Sequence, residues 1–598
     1  MDEQGRAAKE VTMPSDKIRK RSPRVPRAWL TRFELSDRKE SPPYDETMAF
    51  FARLAAASEF ARLVPYGVSP QGRALNCLVV DRAGAFDPER AAGDRAVVLI
   101  QCGIHSGEIE GKDACMMLLR EILITGESRD LLDHLILLVI PIVNVDGHER
   151  SSPTNRPNQD GPRQMGWRTT AHNLNLNRDY MKADAPEMQA LLALNASWRP
   201  DLSIDCHTTD GGDHRYHVMY GLERHQNIDP ELGAWGQHSL MPEVMARVEE
   251  LGFLAAPYFD VKGDLYRGVS IEPGIGRYST GYGALQNRLC LLIETHSLKP
   301  FDTRMFVTKA TIEAVLAHVA AHAGELKRMN RDADDRAARA YGSEGEEFPL
   351  RVTVTDEPEP FMFEGFETFE EESQITGAPV LRYSGVPARF EIPLFAEGFV
   401  EETVVLPRAY AVPGEFGHLV QVLRLHGIDV ARLEADLVVT AQRYRFTNVT
   451  FAARPYEGRQ LVNCVVEPFA GQVQLPAGTF VVPTAQRAVR VIAHLLEPGS
   501  EDSFGRWGFF SAFFERKEYA EPYILEPIAL EMLDADPELA EECEKRLDRD
   551  DSFRDDPEER LDFFYQRSPF FDRAERVYPI VRIADDRTFA RVRRLLGP

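Results

Sequence analysis

A chain of 598 residues exceeds what one hydrophobic core supports, so at least two domains are expected. Apolar residues at 43% and charged residues at 27% describe a soluble globular protein. The 70 basic and 94 acidic side chains leave a formal charge of −24, which argues against nucleic acid or an anionic membrane as partner, and no apolar run approaches the roughly 18 residues of a membrane span.

Residues 1–45 are polar, proline-containing and partly basic, with no hydrophobic signal core, and read as a flexible arm. Seven cysteines, spread thinly, fit neither a disulfide framework nor a zinc-finger pattern. Cys102, Cys115 and Cys290 sit in apolar runs as reduced core thiols, so a cytoplasmic setting is expected.

From residue 96 an apolar run, AVVLIQC, enters a small-residue turn carrying His105 and Glu108, as a buried parallel strand would at its carboxyl end. Ligands gather at such ends, and a His-x-x-Glu step there aims an imidazole and a carboxylate at one point. LILLVIPIV, from residue 135, is a central strand leading into the NVDG loop, Asn144 to Gly147. DLSIDCH repeats the pattern and puts His207 at a second strand tip, before a small polar loop, HTTDGG. LCLLIE ends a third run at Glu294. Two histidines and a glutamate make the three-ligand set of a catalytic zinc, and Glu294 is available as general base.

Each of these signals has an ordinary reading: a capping or surface His-x-x-Glu, a satisfied histidine at a sheet edge, a solvated glutamate. Their co-occurrence in order favours one metal site. His318 and His322, four apart on a helical pattern, read as helix-surface histidines because no HExxH glutamate accompanies them. His214 and His217 either shape the pocket beyond His207 or decorate a strand.

Residues 325–348 are charged and glycine-punctuated, as a helix end and linker. Alternating apolar and polar residues then predict a β-rich module over 345–480. Residues 484–499 predict a helix closed by Pro and Gly, within a mixed helical region over 481–598. The aromatic-dense stretch 503–523 reads as core, with a funnel cover or a homo-oligomer contact as alternatives, and the acidic run 534–551 reads as an exposed helix.

Over roughly residues 50–330 the chain resembles the zinc metallocarboxypeptidases typified by pancreatic carboxypeptidase A. The elements that carry the resemblance are His105 with Glu108, Asn144 to Gly147, Asn177 with Arg178, His207, then Glu294, in the family's order. The lead-in from Tyr66 to Leu75 also looks like the family's. The resemblance implies that one zinc ion is held by His105, Glu108 and His207, and that Glu294 moves a proton from activated water to the leaving amine. It implies that Asn177 and Arg178 bind a substrate's terminal carboxylate. Arg168, after an aromatic residue, matches the family's oxyanion-stabilising cation, with Arg156 and Arg163 competing for the role. Tyr278 and Tyr282 lie where the family has a lid tyrosine, though closer to Glu294 than in carboxypeptidase A. Digestive members have an Asp where this chain has Asn175, a weaker acceptor for the first zinc histidine, so weaker zinc binding is expected.

The expected architecture is α/β: over 46–330 a mixed, mostly parallel sheet with helices on both faces, followed by the accessory region. The expected activity is zinc-dependent hydrolysis of the amide before a peptide's C-terminal residue. An acylamino-acid deacylase of the desuccinylase or aspartoacylase kind, and a catalytically silent peptide-binding homologue, are the alternatives. The accessory region is expected to restrict the funnel to short peptides.

Overall fold

The computed structural model describes residues 25–91 and 93–597. The flexible arm expected over 1–45 lies outside the described residues up to residue 24. From residue 25 onwards the segment is packed, which corrects that expectation. Phe33 is buried in the core, Glu34 pairs with the buried Arg120 at 2.6 Å, and the Ser41 hydroxyl bonds Asp113. Two aromatic anchors, Trp29 and Phe33, and several polar side chains, rather than a periodic apolar stripe, hold this stretch in place, so hydropathy alone does not reveal it.

The central sheet contains β1 (Ala61–Val68), β2 (Ala74–Val80), β3 (Ala96–Cys102), β4 (Leu135–Ile140), β5 (Leu202–Thr208), β6 (Val218–Gly221) and β7 (Ala255–Pro257). Its eighth strand is β10 (Leu289–Thr295); the short β8 (Asp260–Val261) and β9 (Val269–Ser270) lie outside it. The order is β1-β2-β4-β3-β5-β10-β6-β7. Strands β4, β3, β5 and β10 run parallel, while β2 joins β4 and β6 joins β10 in antiparallel fashion.

Period-two alternation sends Val98, Ile100 and Cys102 to one face and Val97 and Leu99 to the other, so both faces need cover. On the first face pack α1 (Tyr44–Ala57), α2 (Glu110–Arg120), α4 (Met241–Glu250), α6 (Phe301–Ala321) and α7 (Ala323–Arg339). On the second lie α3 (Pro186–Trp198) and α5 (Ser279–Leu285). Helix α2 comes unusually close to the strands: a Cβ on Gly111 would stand 2.5 Å from Cys206 Cβ, so only glycine fits.

After α7, β11 (Glu347–Val354) pairs with β14 (Gly398–Val405), and between them runs a long ribbon, β12 (Glu359–Glu372) and β13 (Pro379–Phe395). The ribbon is rooted in the first half of the chain, since Leu394 and Phe395 pair with Val269 and Ser270 of β9. A seven-stranded sheet follows, built from β15 (Ala409–Val412), β16 (Ala431–Leu433), β17 (Leu437–Phe451), β18 (Val462–Leu475), β19 (Phe480–Pro483), β20 (Val581–Ile583) and β21 (Leu596–Gly597). Its order is β18-β17-β20-β15-β19-β16-β21, so the boundary expected at 480 runs through one sheet.

Nor is this region detached. One buried cluster holds Leu99, Leu138, Leu191 and Leu192 of the first half together with Tyr410, Leu419 of α8 (Gly417–Leu425), Ile492 of α9 (Val489–Leu496), Phe504 and Phe510. Segment 503–523 divides: Trp507 is buried, but Tyr519 and Tyr523 are exposed. The acidic run forms the surface helix α10 (Pro537–Arg549), capped by Asp536. No helix among the described residues is long and apolar enough to cross a membrane.

Candidate functional site

Adjacent parallel strands bring the chemistry together. Register places Cys102 of β3 beside Cys206 of β5, and His207 of β5 beside Glu294 of β10. Past β3 the chain turns, with Glu108 N–H donating to His105 O at 2.9 Å, and α2 begins at Glu110. The turn folds His105 and Glu108 back over the strand ends. The NVDG loop braces it from below: Ser106 donates to Asn144 O at 2.6 Å, and Asn144 Oδ1 accepts from Gly147 N–H at 3.0 Å. Asp146 holds the 69–73 turn through Ser69 (2.8 Å), Gln71 N–H (3.0 Å) and Arg73 (2.7 Å).

His105 Nδ1, His207 Nδ1 and a Glu108 oxygen converge: Nδ1 to Nδ1 is 3.2 Å, and Glu108 Oε2 lies 3.2 Å from His105 and 3.0 Å from His207. Among the described residues this is the one His/Cys/Asp/Glu group able to hold a metal ion. The remaining ring nitrogens are oriented from outside. His105 Nε2–H donates to Asn175 Oδ1 at 3.0 Å, and His207 Nε2–H to Asp205 Oδ2 at 2.8 Å. Two imidazoles and a carboxylate, each imidazole backed by an acceptor, suit zinc.

Electrostatics agree. Burial pushes His105 down to about 4, so its ring is neutral. Burial opposes charge on Glu108, yet its contacts with His105, the Arg156 guanidinium and His207 hold its carboxyl well below the usual range. Burial also opposes charge on His207, but Asp205 and Glu108 hold its pKa well above the ordinary value. The Asp205 and Glu108 carboxylates thus favour positive charge at the His207 ring.

Beside the cluster opens a cavity of about 440 Å³ lined by His105, Glu108, Arg168, Asn177, Arg178, Tyr278 and Glu294, among others. Glu294 is 9% exposed, and its Oε2 has no hydrogen-bond partner. Burial, and then the charges of Glu108, Asp210 and Asp205, raise its pKa to about 8 against the pull of His207. Asn177 Oδ1 accepts from Ser279 N–H at 3.1 Å, and the Arg178 guanidinium sits 4.3 Å over the Tyr278 ring.

The three candidate arginines separate. Arg168 lines the cavity, 3.4 Å from Glu108 Oε1; Arg156 grips that oxygen at 2.8 Å with little exposure; Arg163 pairs with Glu40 on the surface. Tyr282 is not among the cavity's lining residues, a correction to its expected substrate contact. It is buried, its hydroxyl bonded to His426 (3.0 Å) and Gln286 (2.8 Å), because α5 turns it inward. His217 accepts Leu254 N–H, His214 packs on the His296 ring, and His318 stacks on His322, so none joins the cluster.

Several contributors went unread in the sequence. Asp205 was within reach, since residues two apart on a strand share a face. Asp210 of the HTTDGG loop, Asp260 of the short β8, and Tyr258 and Glu272 beside it also line the cavity, from segments with no periodic pattern to announce them.

Residues 47–217 match the family model described as zinc carboxypeptidase. That segment holds every residue of the cluster and the Asn177–Arg178 pair; Glu294 lies beyond it. The chain is 22% identical over 495 residues to carboxypeptidase 2 of Trichophyton tonsurans, covering 79% of this chain and 85% of that one. With carboxypeptidase 2 of Trichophyton rubrum the figures are 23% over 494 residues and the same coverages. A metallo-carboxypeptidase structure from Burkholderia cenocepacia aligns at 17% identity and TM-score 0.36, over 47% of this chain and 70% of that one. Over residues 47–217, this chain is therefore similar to the zinc carboxypeptidases.

Proposed function

We propose that the protein is a zinc-dependent carboxypeptidase that removes the last residue of peptides with a free C-terminus. What carries this reading is one cavity that reaches His105 and Glu108 of the His105–Glu108–His207 donor set and is also lined by Arg178 and by Glu294, whose buried Oε2 has no hydrogen-bond partner among the described residues. A zinc ion on that donor set would polarise the scissile carbonyl and lower the pKa of water.

The chain's own residues do the rest. Arg178 and Asn177 bind the substrate's terminal carboxylate, fixing which amide lies at the centre. Arg168 supplies a cation to the oxygen that becomes negative. Glu294 takes one proton from the attacking water and passes it to the leaving nitrogen, so a C–O bond replaces the C–N bond. Tyr278, stacked under Arg178, borders the substrate.

The test is a library of short peptides, half with free and half with amidated C-termini, given to zinc-loaded protein and read by mass spectrometry beside Glu294→Gln. Single-residue loss from free termini alone, absent in the variant, is expected. Cleavage confined to N-acyl amino acids would mean a deacylase, and zinc binding without turnover on any amide a silent binder. The seven unpaired thiols support the cytoplasmic setting. Exposed Tyr519, Tyr523 and Phe570 support a homo-oligomer contact in the C-terminal region, which light scattering would detect.

A further inference from the structure

The tip of the β17–β18 hairpin reaches into the catalytic half. Its turn, Glu457-Gly458, is closed by Tyr456 N–H donating to Arg459 O (2.8 Å) and Arg459 N–H to Tyr456 O (3.0 Å). Both central residues have positive φ, 49° and 76°. Asn-Gly or Gly-Gly meets that geometry at low cost, whereas glutamate is strained there.

What the glutamate supplies is a carboxylate. Its Oε2 accepts Asn175 N–H at 2.8 Å, across 282 residues of sequence. Asn175 Oδ1 in turn accepts from His105 Nε2–H and from Asn177 N–H, both at 3.0 Å. One hydrogen-bonded chain therefore runs from the hairpin tip to a metal-ligating imidazole, with a branch to the carboxylate-binding pair. Arg459 anchors the tip by two bonds of 2.6 Å to Asp184, at the far end of the same segment.

We propose that Glu457 is a positioning residue of the metal centre: it fixes the Asn175 backbone, and through the Asn175 side chain it sets the orientation of His105. An amide holds an imidazole less firmly than a carboxylate does, so an Asn at 175 needs its own backbone fixed. The accessory region thereby completes the catalytic site. The inference rests on the zinc reading of the cluster, but its main readout needs no turnover.

The decisive variant is Glu457→Gly, which removes the carboxylate while relieving the positive φ, so the turn itself gains. Zinc affinity of the full chain, measured by competition with a chromogenic chelator, should weaken about tenfold in this variant, the usual scale for loss of an outer-shell partner. Its metal-free Tm should hold or rise. Glu457→Gln, whose amide oxygen still accepts the Asn175 N–H, should restore affinity to within about threefold of the parent. Arg459→Ala, which removes the Asp184 pair and the stacking on Phe509 but leaves the Glu457 carboxylate, serves as a control: a Tm loss with zinc affinity weakened less than in Glu457→Gly is expected. Zinc affinity within twofold of the parent in Glu457→Gly would overturn the proposal, as would equal weakening in Glu457→Gly and Glu457→Gln. A parent that binds zinc yet cleaves no peptide would instead refute the carboxypeptidase reading and leave this one standing.

Discussion

Glu294 links the site's chemistry to the protein's stability. Its folded pKa of about 8 lies above the ordinary glutamate value of 4.5, so its contribution to stability is fully present below about pH 4.5 and is lost as pH rises through 8. Metal-free Glu294→Gln should therefore exceed the parent in Tm at pH 8 and approach it at pH 5; equal margins at both pH values would contradict the burial argument. With zinc and peptide, the same variant should lose about 10²–10⁴-fold in kcat while still binding metal. Protons on His207 and Glu294 must give way to a cation, so zinc affinity should climb from pH 6 to pH 8, as a chelator titration would show. The cavity wall makes a further prediction. Asp210, Asp260 and Glu272 line it without ion-pair partners among the described residues, and burial, then the charges of Glu272 and Asp210, raise Asp260's pKa. Peptides ending in Lys or Arg should then show higher kcat/KM than those ending in Asp or Glu, with the gap narrowing in Asp260→Asn and Glu272→Gln.

At the scale of elements, the strand-end residues were legible because a buried parallel strand is a continuous apolar run, and chemistry at its carboxyl tip stands out against it. His105, His207 and Glu294 share that signature, and register alone then makes them neighbours. Side chains delivered by irregular segments left no such mark. Tyr278 and Tyr282 are four apart on one short stretch, yet one faces the cavity and the other the core, a difference set by where α5 starts. Asn175 is the element-level prediction: restoring a carboxylate in Asn175→Asp should tighten zinc binding, since His105 Nε2 already points at that atom from 3.0 Å. Unchanged affinity in a competitive titration would show that the amide serves equally well.

Across the whole molecule, the fold class was readable from buried strand runs with chemistry at their tips and from the resemblance they carry, but the division of the chain was not. Sequence composition changes near residue 345, whereas the core does not divide there, because side chains from both regions share one cluster on the sheet's second face. A chain truncated after residue 340 should expose Leu191, Leu192 and their neighbours, and light scattering should find it aggregated, whereas the full chain should melt in a single calorimetric transition. Two separate transitions would mean that the shared cluster is energetically minor.

The same seven-stranded sheet constrains how the protein is made. Strand β15, residues 409–412, lies between β19 and β20, and β20 comes from residues 581–583. During translation one edge of β15 waits, with its backbone groups unpaired, until some 170 further residues have left the ribosome. Over that interval the nascent chain is a substrate for chaperones, and slowing synthesis after residue 412 should cost yield of active protein more than slowing it before residue 340.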